Sequence, residues 1–173
     1  MSVSSYTLAL EALKTIVNAY SGYEKGKFMN SDEAIRSEIQ RRCEMITRHA
    51  EKIQQEVHSD GHRAARTMLE NLIDSLSLFR SEAQFSISSN SVSQHSAIGK
   101  LKNKAIRKLV THDHEVLQGL VEATRMANEL VDQRPGLDQG QVEVEISNWH
   151  QKVTRVRNMF LERNMFIDGL TKR

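Results

Sequence analysis

Apolar residues recur along most of the chain at alternating steps of four and three positions, and charged or amide side chains fill most positions between them. This is the spacing of a heptad seam, in which one side of a helix is buried and the other faces water. The pattern predicts five helices, roughly over 3–20, 31–58, 62–85, 98–132 and 142–168.

Three of these segments carry a seam of regular spacing. In the second helix the seam is Ile39, Cys43, Ile46, Ala50, Ile53 and Val57. In the third helix it is Ala65, Leu69, Leu72, Leu76, Phe79 and Ala83. In the fifth helix it is Val142, Ile146, Trp149, Val153, Val156, Phe160, Arg163 and Ile167, with the arginine as the one polar interruption. Such seams favour nearly parallel packing, as in bundles and coiled coils.

The segments 31–58 and 62–85 are separated only by Asp60-Gly61 and the residues that flank it. Because glycine commonly stops a helix, we expect a tight hairpin here. The alternative is one continuous helix about 80 Å long, which would require a partner chain to cover its apolar side.

Other signals indicate where elements begin and end. Asn30 followed by Glu33 has the spacing of a capping box and predicts the start of the second helix. Arg134-Pro135-Gly136 predicts the end of the fourth helix. Residues 86–97 are rich in serine and predict a flexible loop or linker between two helical halves.

We therefore expect an all-α protein, an antiparallel helical bundle of about five helices with coiled-coil-like seams, in which 1–173 form a single domain. A single proline and an aromatic content of 5% agree with helices rather than strands.

Charge and cysteine usage limit the choice of function and compartment. The net charge of +2 creates no global field that would attract nucleic acid or membrane. Cys43 is the only cysteine, so an intrachain disulfide is excluded. The first residues lack a secretory-signal pattern, and no apolar run reaches transmembrane length. We expect a cytoplasmic protein with no transmembrane segment.

Histidine and carboxylate patterns give little support to a metal site. His112 and His114 lie two positions apart, so a helix directs them to opposite sides. His58 and His62 lie four apart, which suits a metal only if one helix runs through both. Cys43 lies on a seam and is expected to be a buried, inert core residue.

The glycines form no phosphate-binding loop, and Glu129 with Asp132 is a lone carboxylate pair. Catalysis is therefore not expected, and neither is a cofactor. A metal-binding or enzymatic bundle is kept as a third hypothesis.

The main local charge signal is GKLKNKAIRKL, residues 99–109, which contains no acidic residue. Lys100, Lys104, Arg107 and Lys108 share one helical side at three- and four-residue spacing. This side is either a solvated surface or a binding site for nucleic acid, anionic lipid or an acidic partner.

Large apolar residues are densest on the fifth helix. Trp149, Val153, Val156, Phe160 and Ile167 form either core or a protein interface. From the seams we expect a structural or protein-interaction bundle that self-associates, as a dimer. A polyanion-binding module is the alternative.

Overall fold

A computed structural model describes residues 3–23, 27–84 and 102–171 of the chain. These contain five α-helices: α1 (Val3–Ile16), α2 (Phe28–Ser59), α3 (Arg63–Gln84), α4 (Asn103–Gln133) and α5 (Gln139–Thr171). A short 3-10 helix, Arg134–Gly136, joins the last two. The fold is all-α, as the apolar pattern predicts. No helix in the described ranges is long and apolar enough to cross a membrane.

Helices α2 to α5 form a four-helix bundle built from two antiparallel hairpins, α2–α3 and α4–α5. Within the bundle α2 also packs on α4, and α3 packs on α5. Helix α1 lies outside the four-helix bundle and packs on α4.

The two hairpins run in the same direction. At one end, where α2 and α4 both finish, Arg134 binds Glu56 at 2.8 Å. Along the opposite pair, Glu143 near the start of α5 contacts His62 at the start of α3, and Arg157 contacts Glu82 near the end of α3. The prediction of an antiparallel bundle therefore holds within each hairpin. Between the hairpins, α2 is parallel to α4 and α3 is parallel to α5.

The turn between α2 and α3 is a tight hairpin. Gly61 adopts a left-handed conformation with φ of +72°. Its N–H bonds the carbonyl of His58 at 3.0 Å, and the N–H of His62 bonds the carbonyl of Val57 at 2.8 Å. This pair of bonds is the Schellman motif, which satisfies the last carbonyls of α2. The long-rod alternative is excluded for this chain.

Two boundaries near the amino end were predicted wrongly. Helix α1 ends at Ile16 rather than near Tyr20, because Ala19 has a φ of +66°, which no helix tolerates. Helix α2 begins at Phe28, before Asn30, and Lys27 precedes it without a side-chain cap. The capping box assigned to Asn30 and Glu33 is therefore not at the helix start.

A capping box occurs instead at the start of α5. The Asp138 carboxylate accepts the N–H of Gln141 at 2.8 Å, and the Gln141 side chain accepts the N–H of Asp138 at 2.9 Å. This reciprocal pair satisfies two backbone donors and starts α5 at Gln139, before the predicted Val142.

The core of the bundle consists of the predicted seams. All seam residues of α2, α3 and α5 named above are buried within the chain, including Cys43 and Arg163. At roughly 1.5–3 kcal/mol for each buried Leu or Ile side chain, this burial is the main stabilising contribution. The serine-rich segment 86–97 lies outside the described residues.

Candidate functional site: a basic groove beside a buried ionic cluster

The end of the bundle where α2 and α4 begin contains a group of buried charged and phenolic side chains. We call it the ionic cluster, and its members are Tyr20, Tyr23, Asp32, Arg36, Asp113 and Arg163.

Arg163 and Asp113 are at the centre of the ionic cluster, and both are fully buried. The guanidinium Nε of Arg163 donates to Oδ1 of Asp113. The hydroxyls of Tyr20 and Tyr23 donate to the other oxygen of that carboxylate, at 2.9 and 2.6 Å. Asp113 thus receives three hydrogen bonds, which is what a buried carboxylate requires.

Asp32 and Arg36, one turn apart on α2, extend the cluster. Oδ1 of Asp32 lies 2.7 Å from Nη2 of Arg163, and its Oδ2 accepts Nε of Arg36 at 2.9 Å. Nη2 of Arg36 donates to Asn164 at 2.9 Å, while its Nη1 is buried without a hydrogen-bond partner. Two arginines therefore oppose two aspartates, and the cluster has no net charge.

The connection between α1 and α2 inserts the two tyrosines. Ala19, Gly22 and Tyr23 all have φ between +62° and +68°. A left-handed conformation is unusual for a residue with a side chain, so Ala19 and Tyr23 are strained. The Ser31 hydroxyl lies 3.2 Å from the N–H of Ser21, which it accepts, and steadies this connection.

Burial and pairing set the protonation of the cluster. Burial raises the pKa of Asp113, against the opposing effect of Arg163 and the tyrosine hydroxyls. Burial also opposes the charged form of Asp32, but Arg163 and Arg36 outweigh it and lower the pKa of that carboxyl. Burial raises the pKa of both tyrosines, which keeps them protonated as donors.

These contacts give the ionic cluster a structural role. Every oxygen of Asp113 is occupied by a donor, and the carboxylate is shielded from solvent. The cluster ties the α1–α2 connection, α2, α4 and α5 together at one end. The sequence pattern did not single out Asp113, and it indicated Arg163 only as a polar interruption of the α5 seam.

The outer side of the same part of α4 lines an open groove of about 630 Å³. We call it the basic groove. Its lining residues are Asn103, Lys104, Arg107, Lys108, Thr111, His112 and Glu115. Lys104, Arg107 and Lys108 are exposed, so three of the four predicted cations line one surface. Lys100, the fourth, lies outside the described residues.

Aromatic rings from two other helices hold two of these cations. The guanidinium of Arg107 lies 5.6 Å from the ring centroid of Tyr6 on α1. Nζ of Lys108 lies 4.7 Å from the ring centroid of Phe166 on α5. Such cation–π contacts each contribute about 0.5–1 kcal/mol at exposed sites and restrict where the charge is held.

The proposed interface residues of α5 are all in the core. Trp149, Val153, Val156, Phe160 and Ile167 are at most 4% exposed, and other helices of the same chain cover them. A partner would reach them only if the bundle opened.

The histidine pairs do not converge on a metal site. No group of three or more potential metal ligands occurs among the described residues. Gly61 separates His58 from His62, as the hairpin requires. Nε2 of His62 pairs with Glu143 at 2.9 Å, and Nδ1 of His58 lies 3.2 Å from a nitrogen of Arg66.

One serine–histidine contact was not predicted. Oγ of Ser75 lies 2.8 Å from Nε2 of His150 and 2.9 Å from the carbonyl of Asn71. Since a carbonyl only accepts, the single hydroxyl proton is directed to Asn71, and His150 then donates to the serine. A donating histidine is no base for this hydroxyl, so the pair lacks the arrangement of an activated nucleophile.

Comparisons with protein-family models, with curated proteins and with solved structures give no match to this chain.

Proposed function

We propose that this protein is a protein-interaction or scaffold bundle without catalytic activity, and that it recognises an anionic partner through the basic groove. The main support for the proposal is that the groove cations are not paired with carboxylates. Lys104, Arg107 and Lys108 form no ion pair with a carboxylate in the described ranges, although the groove places them close together.

Arginines outside the basic groove are mostly paired with carboxylates. Most other arginines contact a carboxylate of the same chain, among them Arg41, Arg48, Arg66, Arg125 and Arg157. The groove is therefore a region where positive charge is left without an internal partner. An anionic ligand would gain attraction there and displace no intramolecular salt bridge.

The helix start adds to this potential. The groove begins at the first turn of α4, where the macrodipole is positive and where Lys102 and Lys104 are also exposed. Cations at this position destabilise the free helix slightly, and a bound anion would relieve that cost.

Binding to short polyphosphate, a single-stranded oligonucleotide and poly-glutamate tests the proposal. We expect micromolar binding at 50 mM salt that weakens steeply by about 300 mM salt. Lys104→Gln/Arg107→Gln should weaken it at least tenfold. Lys52→Gln/Arg155→Gln is the matched control, because it removes the same charge from exposed positions outside the groove. Binding to none of these at low salt, or equal losses in both variants, would refute the proposal.

Self-association is a second proposal, supported by other exposed apolar side chains. Leu78 on α3 and Val144 and Met159 on α5 are large apolar side chains that stay exposed on two adjacent helices. A dimer would cover them, whereas the heptad seams are already buried within one chain. Sedimentation equilibrium tests this proposal, with Leu78→Lys/Met159→Lys as the variant that should dissociate the dimer. A strict monomer at high micromolar concentration would contradict it.

A further inference from the structure

Resting on the proposed function, we infer that the anionic partner of the basic groove is an extended segment of another protein, in which a pair of acidic residues is followed three positions later by a lysine or arginine. The acidic pair lies against Lys104, Arg107 and Lys108, and the basic residue pairs with Glu115. The distribution of charge along the groove supports this partner.

The basic groove is positive at one end and negative at the other. Its three exposed cations lie within the first two turns of α4, and Glu115, which lines the same groove, is exposed further along the helix. Glu115 forms no ion pair within the described ranges. Lys108 and Glu115 are seven residues apart, which is about 10 Å along the axis at about 1.5 Å per residue. Both ends of the groove are therefore open to a ligand charge of the opposite sign.

An extended peptide matches this separation. In the polyproline II conformation a chain has about three residues per turn and rises about 3.1 Å per residue. Side chains three positions apart therefore point to the same side and lie about 9 Å apart, close to the separation of Lys108 and Glu115. The groove volume of about 630 Å³ is within the range of pockets that enclose a ligand, so the side chains of a peptide can enter it.

The same features fit a ligand of uniform negative charge less well. A nucleic acid carries a negative charge at every nucleotide, so a strand that spans the groove would bring phosphate close to Glu115. Single strands are normally held by aromatic stacking as well, and no Phe, Tyr or Trp lines the groove within the described ranges. An anionic membrane is a flat surface of one sign, so Glu115 would oppose its binding too. A peptide with both signs of charge pairs with the whole groove.

Short peptides of related composition test the inference. The probe is Glu-Glu-Pro-Pro-Lys, in which the prolines favour the polyproline II conformation. One comparison peptide, Glu-Glu-Lys-Pro-Pro, has the same residues at the wrong spacing, and the other, Glu-Glu-Pro-Pro-Glu, is wholly acidic. Each is blocked at both ends and made in both chain directions. Binding is measured by NMR titration at about 150 mM salt, where the screening length of about 8 Å is shorter than the separation of Lys108 and Glu115.

We expect the wild-type protein to bind the probe about threefold more tightly than either comparison peptide, which is the effect of one exposed ion pair. Glu115→Gln should lose this preference, because its side chain no longer attracts lysine or repels glutamate. Glu115→Lys should bind the wholly acidic peptide more tightly than the probe. Glu145→Gln is the matched control and should behave as wild type, since it removes an exposed glutamate near the start of α5, at the other end of the bundle.

A wild-type protein that does not prefer the probe, or a preference that Glu115→Gln retains, would overturn the peptide inference. Groove-dependent binding of polyphosphate or oligonucleotide without binding of any peptide would also overturn it, and would leave the proposed function standing. If Lys104→Gln/Arg107→Gln binds every ligand as wild type does, or if the wild-type protein binds none of them at low salt, both are refuted.

Discussion

Arg163 is central to the fold, but the sequence predicts only that it is buried and not what it contacts. The regular spacing of the α5 seam predicts that position 163 is buried, and it is. The spacing does not show which carboxylates neutralise the charge of Arg163. Asp113 comes from α4 and Asp32 from α2, so the partners are distant in sequence and meet only through the packing of three helices.

Replacing Arg163 by methionine should therefore be costly. Asp113 and Asp32 would remain buried without their main cation, and breaking a buried pair in this way costs about 3–5 kcal/mol. Arg157→Met is the matched control, because its bond to Glu82 is partly exposed and should contribute at most about 1 kcal/mol. Urea unfolding followed by the fluorescence of Trp149 measures both. Equal losses in the two variants would show that the ionic cluster does not stabilise the fold.

Asp32 and Asp113 should respond to pH in opposite ways. The two arginines lower the pKa of Asp32, so its contribution is present above its unfolded pKa near 4 and is lost as the pH falls through the lower folded pKa. The free-energy cost of Asp32→Asn should therefore shrink on acidification below about pH 4.

The pH dependence of Asp113→Asn should be opposite to that of Asp32→Asn. Burial raises the pKa of Asp113, so stability from this group is present below the unfolded value and is lost as the pH rises through the folded value. The cost of Asp113→Asn should grow on acidification. Unfolding free energies at pH 7, 5 and 3 measure both trends, and a cost of Asp32→Asn that rises at low pH would contradict the assignment.

At the scale of helices, apolar periodicity predicted the existence of all five elements and the buried side of α2, α3 and α5. Helix boundaries were harder to predict, because they depend on local features rather than on the periodicity of apolar residues. Tyr20 continues the apolar spacing of α1, but it belongs to a strained connection whose conformation depends on the distant Asp113. The capping box at Asp138 and Gln141 could have been recognised in the sequence, because an aspartate followed three positions later by a glutamine has the required spacing.

The contact between α4 and α5 contains a glycine whose role periodicity does not reveal. A Cβ at Gly119 would collide with Cγ2 of Val156 across the helix pair. Gly119→Ala should lower the free energy of unfolding by about 1–3 kcal/mol, because overpacking outweighs the better helix propensity of alanine.

Two further variants separate packing from propensity. Gly119→Ala/Val156→Ala removes the colliding methyl groups and should recover part of the loss that Gly119→Ala causes. Gly169→Ala meets nothing within 4 Å and should be neutral or stabilising by up to about 1 kcal/mol. Thermal or urea unfolding measures all three, and a Gly119→Ala protein as stable as wild type would show that the helices separate easily at this point.

For the molecule as a whole, the sequence predicted a helical bundle but not how the hairpins pair. Each seam shows which side of a helix is buried, and any other apolar seam could cover it. The pairing depends on specific contacts such as Arg134 with Glu56, Arg157 with Glu82 and the ionic cluster. The basic groove was predicted as a charged side of one helix. The aromatic residues beside it come from α1 and α5 and could not be assigned to it before the fold was known.

Because the two hairpins share one core, they should unfold together. Cys43 on α2 is fully buried, and burial raises the pKa of its thiol to about 12, so a thiol reagent at pH 8 should not reach it in the native protein. Its reaction should begin at the urea concentration where the fluorescence of Trp149 on α5 changes. Cys43→Ala/Ser77→Cys, whose thiol is exposed on α3, should react at once without urea and validates the assay. Labelling of Cys43 at clearly lower urea than the Trp149 transition would show that the α2–α3 hairpin opens by itself and that the chain is two cooperative units.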